Sequence, residues 1–228
     1  MKEPSTFAWR ALFFSIIQMK SIVCFGDSNT WGYNPKDGRR YPESIRWTGI
    51  LQSELGRNIK VIEEGLNGRT SVWVDPIEAY PNGKDALIPC LDSHCPIDLI
   101  ILLLGTNDLK AHFDKSPKAI AGGIRLLGEL IQSSASGPDG APPRLLLLAP
   151  PPLGHLGSLA ARFKGGTEKS NQLGAHYQQV ARELNCAFTD LGGKIQSSDQ
   201  DGIHWEPEAH QTLGQHLAEK IIRNDLLT

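Results

Sequence analysis

The sequence predicts a three-layer α/β/α domain built on a five-stranded parallel sheet. Three observations carry that prediction. Five short runs of strand length are largely apolar. Segments with apolar residues at helical spacing lie between them. The run Asp98–Leu104 (Asp-Leu-Ile-Ile-Leu-Leu-Leu) has no polar alternation, as in a strand covered on both faces. Strands alternating with helices imply a parallel sheet with helices on both sides.

Lys20–Phe25 is the first strand. Arg46–Leu55 places Trp47, Ile50, Leu51 and Leu55 on one helical face, and Gly56 follows as a stop residue. Ile59–Glu63 is the second strand, and Asp98–Leu104 the third, bounded by Pro96 and Gly105. Pro117 opens a helix through Ile120, Ile124, Leu127 and Ile131. A Gly/Pro/Ser-rich loop at Ser133–Pro143 leads to the fourth strand, Arg144–Ala149. Thr167 caps a helix carrying Leu173, Tyr177, Val180 and Leu184. Cys186–Leu191 is the fifth strand, and Pro207 opens the last helix through Leu213, Leu217 and Ile221. Two long excursions, Trp31–Ile45 and Thr70–Pro96, leave from strand ends, where loops of this length tend to be functional.

The chain divides into an N-terminal extension, residues 1–19, and one domain, residues 20–228. Residues Ala11–Ile17 form a short apolar run after Lys2 and Arg10, but no small-x-small cleavage site follows, so a secretory leader is the less favoured alternative. A cytoplasmic location is therefore expected. The run is also too short to span a bilayer. Net charge is −2 with Lys and Arg scattered, which gives no footprint for nucleic acid. Four cysteines in 228 residues do not make a disulfide framework. Cys90 and Cys95 lack the spacing of a metal knuckle, and no metal site is expected. In Gly165–Ser170, Glu168 stands where a phosphate-binding loop needs glycine.

Residues able to do chemistry cluster after strands, where open α/β sheets keep their sites. Ser28, in Gly26-Asp27-Ser28-Asn29, is a nucleophile or a helix cap. Asp201 and His204 are three apart and can project to one side of a turn. Asp201 can then orient Nδ1 and leave Nε2 for the serine. The alternative is a surface turn before the last helix. Asn107, in Gly105-Thr106-Asn107-Asp108, can aim its amide at a carbonyl oxygen or merely cap the next element. Gly68 can offer a backbone N–H or serve as a turn glycine.

Taken together, Gly26-Asp27-Ser28, Gly68, Gly105-Thr106-Asn107-Asp108 and Asp201-Gly202-Ile203-His204 resemble the blocks of the SGNH (GDSL-type) hydrolases, and the resemblance runs from about Lys20 to the C-terminus. Cys24–Gly32, Arg46–Gly49 and Glu63–Leu66 look like the arylesterase/acyltransferase branch. Asn29 departs from the family pattern, where Leu is common. The resemblance implies a flavodoxin-like fold and a serine esterase acting on small acyl or aryl esters, with acyl transfer or perhydrolysis as a further activity. It implies Ser28, His204 and Asp201 as the catalytic set, and the Ser28 and Gly68 N–H groups with Asn107 as the oxyanion hole. No cofactor is implied, and the expected partners are a small ester and further copies of the chain. Trp31 is read either as lining an acyl pocket or as a core aromatic. The competing functions are a carbohydrate O-deacetylase or lysophospholipase of the same family, and a non-catalytic flavodoxin-like binding module.

Overall fold

The computed structural model describes residues 19–79 and 82–227. The proposed extension before Met19 lies outside them, as does Tyr80. The sheet has five strands in the order β2-β1-β3-β4-β5, all parallel. They are β1 (Lys20–Gly26), β2 (Ile59–Gly65), β3 (Leu99–Leu103), β4 (Arg144–Ala149) and β5 (Ala187–Asp190). Among the described residues, six α-helices accompany them: α1 (Ser28–Trp31), α2 (Trp47–Leu55), α3 (Gly83–His94), α4 (Pro117–Ser133), α5 (Gly166–Glu183) and α6 (Pro207–Arg223). The three-layer architecture is the expected one.

Strand alternation distributes the apolar residues between two cores. On β1, Val23 and Phe25 face one side while Ile22 and Cys24 face the other. β3 repeats this, with Ile100 and Leu102 opposed to Leu99, Ile101 and Leu103. The first core is closed by α3, α4 and α5 through residues such as Leu87, Ile124 and Tyr177. The second is closed by α2 and α6 through Trp47, Leu51 and Leu217. A continuous apolar run such as β3 serves both cores at once.

The chain leaves β1 toward one edge of the sheet to make β2, then returns to β3 on the other side of β1. The C-terminal ends of β1 and β3 therefore flank the switch point, where the following loops diverge and leave a crevice. Ser28 follows β1, and Asn107 follows β3.

Two elements differ from expectation. Helix α5 begins at Gly166 with Gly165 at its N-cap position, so Thr167 lies inside the helix instead of capping it. The excursion Thr70–Pro96 contains helix α3. Its first residues are polar and Pro89 interrupts its interior, which hides helical periodicity. Its start carries a cap: Asn82 Oδ1 accepts the Asp85 backbone N–H at 2.9 Å. Among the described residues, no helix is long and apolar enough to cross a membrane.

Candidate active site

β1 delivers the serine directly. Its last residue, Gly26, is followed by Asp27, which N-caps α1 by accepting the Asn29 N–H at 3.0 Å. Ser28 is thus the first residue of a one-turn helix and is largely buried. A side chain at Gly26 would collide with Thr30, since a Cβ there would sit 2.1 Å from Thr30 Oγ1. The tight strand-to-helix junction therefore needs glycine.

The turn before α6 delivers the other two groups. Asp201 Oδ1 accepts the backbone N–H groups of Ile203 and His204, each at 2.9 Å. Asp201 Oδ2 lies 2.6 Å from His204 Nδ1, and His204 Nε2 lies 2.9 Å from Ser28 Oγ. An unbroken chain runs from carboxylate through imidazole to hydroxyl. Burial alone would raise the Asp201 pKa. The hydrogen bond and charge of His204, with the two backbone N–H groups, outweigh it and hold the carboxyl below its ordinary value. Asp201 is therefore an anion that can only accept, which selects the tautomer with the proton on Nδ1 and leaves Nε2 free to receive one.

Gly68 and Asn107 come to the same place. Gly68 has φ +77°, left-handed backbone that suits glycine. Asn107 opens a single 3₁₀ turn after β3, and its Nδ2 donates to Arg69 O at 3.1 Å. That bond orients the amide and leaves its second N–H unspent. Among the described residues, the backbone N–H groups of Ser28 and Gly68 have no acceptor. Both residues and Asn107 line one cleft of about 510 Å³, together with Asp201 and His204.

Arg69 and Tyr33 have structural roles that the sequence did not reveal. Arg69 is buried, and its Nη1 donates to Gly26 O at 2.9 Å and to Glu64 O. Its guanidinium lies over the Phe25 ring, 4.3 Å from the centroid. It ties the Gly68 loop to the ends of β1 and β2. Tyr33 stacks on the His204 ring, with centroids 4.0 Å apart and 29° between planes. It comes from the excursion Trp31–Ile45, and nothing in its local sequence marks it. Trp31 is not among the residues lining the cleft. The Arg40 guanidinium covers its ring at 5.3 Å, and its carbonyl accepts Arg40 Nε at 2.7 Å. These contacts hold Trp31 against the excursion it begins.

Another part of the lining is charged. The buried Lys110 Nζ donates to Asp75 Oδ2 at 2.9 Å and Glu78 Oε2 at 2.6 Å, and Arg162 pairs with the second oxygen of Glu78. Two carboxylates lie deeper. Asp27 and Asp108 are fully buried, and desolvation pushes each up to about 6 against the hydrogen bonds it accepts. Among the described residues, one group has metal-ligand types within 4.8 Å of one another: Glu64, Cys90 and His94. It lies outside the cleft lining. His94 Nε2 is spent on Glu64 Oε1 at 2.7 Å, and burial pushes the Cys90 thiol up to about 12. Cys95, the other cysteine weighed in the sequence, is exposed and takes no part.

The fold and this chain of groups define a serine hydrolase on a switch-point crevice. The chain belongs to the GDSL-like lipase/acylhydrolase family, whose model matches residues 24–212. It is similar to a carbohydrate acetylesterase from Sinorhizobium meliloti, with 39% identity and a TM-score of 0.85 over 90% of this chain and 99% of that one. The native aryl esterase of M. smegmatis gives the same figures: 39% identity and 0.85 over 90% and 99%. A second carbohydrate acetylesterase family member from S. meliloti is 36% identical, with a TM-score of 0.85 over 91% and 99%. No curated protein sequence matches the chain. The chain is a carboxylic ester hydrolase of this family.

Proposed function

We propose that this protein cleaves esters of short acyl groups, aryl esters among them, with Ser28 as nucleophile. Ser28 Oγ attacks the carbonyl carbon while His204 Nε2 takes its proton. The negative charge that develops on the carbonyl oxygen meets the N–H groups of Ser28 and Gly68 and the free N–H of Asn107. His204 then gives its proton to the leaving alcohol oxygen as the ester bond breaks, which leaves an acyl group on Ser28. Water repeats the sequence and releases the acid. Asp201 stabilises the imidazolium and keeps the ring in place. An alcohol or peroxide can replace water in the second half, which makes acyl transfer part of the same proposal.

The observation that carries this reading is the continuous Asp201–His204–Ser28 chain, with distances of 2.6 and 2.9 Å, in the lining of the cleft. A binding module has no use for that chain. The test is hydrolysis of p-nitrophenyl acetate by the wild type and by Ser28→Ala. We expect the variant to lose at least ~10³-fold in kcat. Equal rates would sink the proposal. A sugar-ester reading has its own support: Lys110, Glu78, Asn67 and Gln200 make part of the lining polar, and two of the similar structures are of carbohydrate acetylesterases. Comparing acetylated sugars, aryl acetates and long-chain esters separates the readings.

We also infer a homo-oligomer. Val74 and Ile77, each 73% exposed, project from the loop that supplies Glu78 to the cleft. A neighbouring copy covering them would narrow the cleft mouth. Sedimentation of the purified protein should show a species larger than a 25.0 kDa monomer. Four free cysteines fit a reducing compartment, in keeping with a cytoplasmic location.

A further inference from the structure

Asn29 sits next to the nucleophile and is 2% exposed. Its Nδ2 donates to Ile203 O at 3.3 Å. Its Oδ1 has no hydrogen-bond partner among the described residues. A buried amide with one end unpaired is costly to stability, and its hydrogen bond to the Ile203 carbonyl offsets that cost only in part. Stability alone therefore does not account for this residue, and its donor end deserves an explanation. That end reaches the carbonyl of the residue immediately before His204.

Among the described residues, two hydrogen bonds join α1 to the Asp201–His204 turn: Ser28 to His204 and Asn29 to Ile203. The first cannot persist through turnover. Once Ser28 Oγ carries an acyl group it has no proton to share with Nε2. The second involves no reacting atom. Ile203 is thereby tied at both backbone groups, its N–H to Asp201 and its carbonyl to Asn29.

We propose that Asn29 is a positioning residue for the deacylation half of the reaction, holding the His204 turn against α1 while Ser28 is acylated. This rests on the esterase reading above. In that half the water oxygen bonds to the acyl carbon and Nε2 takes the water proton. The proton then passes to Ser28 Oγ as the bond between carbon and Oγ breaks. Asn29 touches none of these atoms and acts only through the placement of Nε2. Acylation depends on it less, because the free Ser28 hydroxyl itself holds the imidazole.

Rapid-mixing kinetics with p-nitrophenyl acetate separate the two halves, since p-nitrophenol leaves at acylation. In Asn29→Leu the acylation phase should stay close to wild type, while deacylation slows about fivefold, the worth of one neutral hydrogen bond. The burst should then approach one p-nitrophenol per active site. The thermal midpoint should stay close to that of the wild type, because the unpaired Oδ1 is gone while the Ile203 carbonyl loses its donor. Equal slowing of both phases, or no change in either, overturns the proposal. Should the Leu variant fail to fold, Asn29→Ala, which cannot donate and adds no bulk, is read on the same two phases. A wild type that forms no acyl-enzyme overturns the esterase reading and this proposal together. A normal wild-type burst with an unchanged variant overturns this proposal alone.

Discussion

His204 is held on every side that matters. Asp201 takes Nδ1 and the backbone N–H, Ser28 meets Nε2, and Tyr33 covers a ring face. Such restraint places the proposed base in one orientation before substrate arrives, so little ordering is left to the proposed reaction. Beneath it, Asp27 combines two roles with opposite effects on stability. As a cap it supports α1; as a buried carboxylate it opposes folding at neutral pH. Its pKa rises from 3.8 to about 6 on folding. The folded state therefore binds its proton more tightly than the unfolded chain does. The full stability is present below pH 3.8 and is lost as pH climbs toward 6. A rise of about two pH units corresponds to about 3 kcal/mol. Asn caps helices as well as Asp does. Asp27→Asn should thus be more stable than wild type at pH 8, by up to about 3 kcal/mol, and no more stable at pH 4. Denaturant unfolding at the two pH values checks it, and an identical difference at both would contradict it.

At the scale of elements, legibility followed the strength of the local pattern. Strands β1, β3 and β4 were readable because burial on both faces leaves nearly unbroken apolar runs such as Leu99–Leu103. The helices α4 and α6 were readable because Pro at the first position and apolar residues at helical spacing agree. Helix α3 was not. Only one side of it packs, through Leu87, Cys90 and Leu91, and Pro89 sits inside it. Its clearest mark was Asn82 with Asp85 three residues on, an N-terminal signal without the apolar stripe that would have confirmed it. The cap should matter correspondingly. Asn82→Ala removes the acceptor for the Asp85 N–H and should cost about 1 kcal/mol. A thermal midpoint that does not fall would show that α3 is held by packing alone.

Over the whole molecule, the residues proposed for the site come from four separated stretches that meet where the strand order reverses. Ser28 and Asn107 were readable as polar residues directly after apolar strands, and the Asp201–His204 spacing suggested one turn. What sequence could not supply was everything set by the path of long loops. Tyr33 arrives over His204, Trp31 is carried away under Arg40, and Lys110 meets Asp75 and Glu78, separated from it by 35 and 32 residues. Arg69 belongs with these, since its guanidinium reaches the carbonyl of Gly26, 43 residues away. Pairings at such separations depend on the finished fold and leave no periodicity behind.

We propose that one hydroxyl, that of Ser28, is activated in a protein with many serines. Labelling of the intact protein with a fluorophosphonate, followed by mass spectrometry of its peptides, tests it most directly. One adduct per chain is expected, on Ser28, abolished in Ser28→Ala and strongly slowed in His204→Ala. Labelling on another residue, or none on Ser28 in a folded protein, would contradict it.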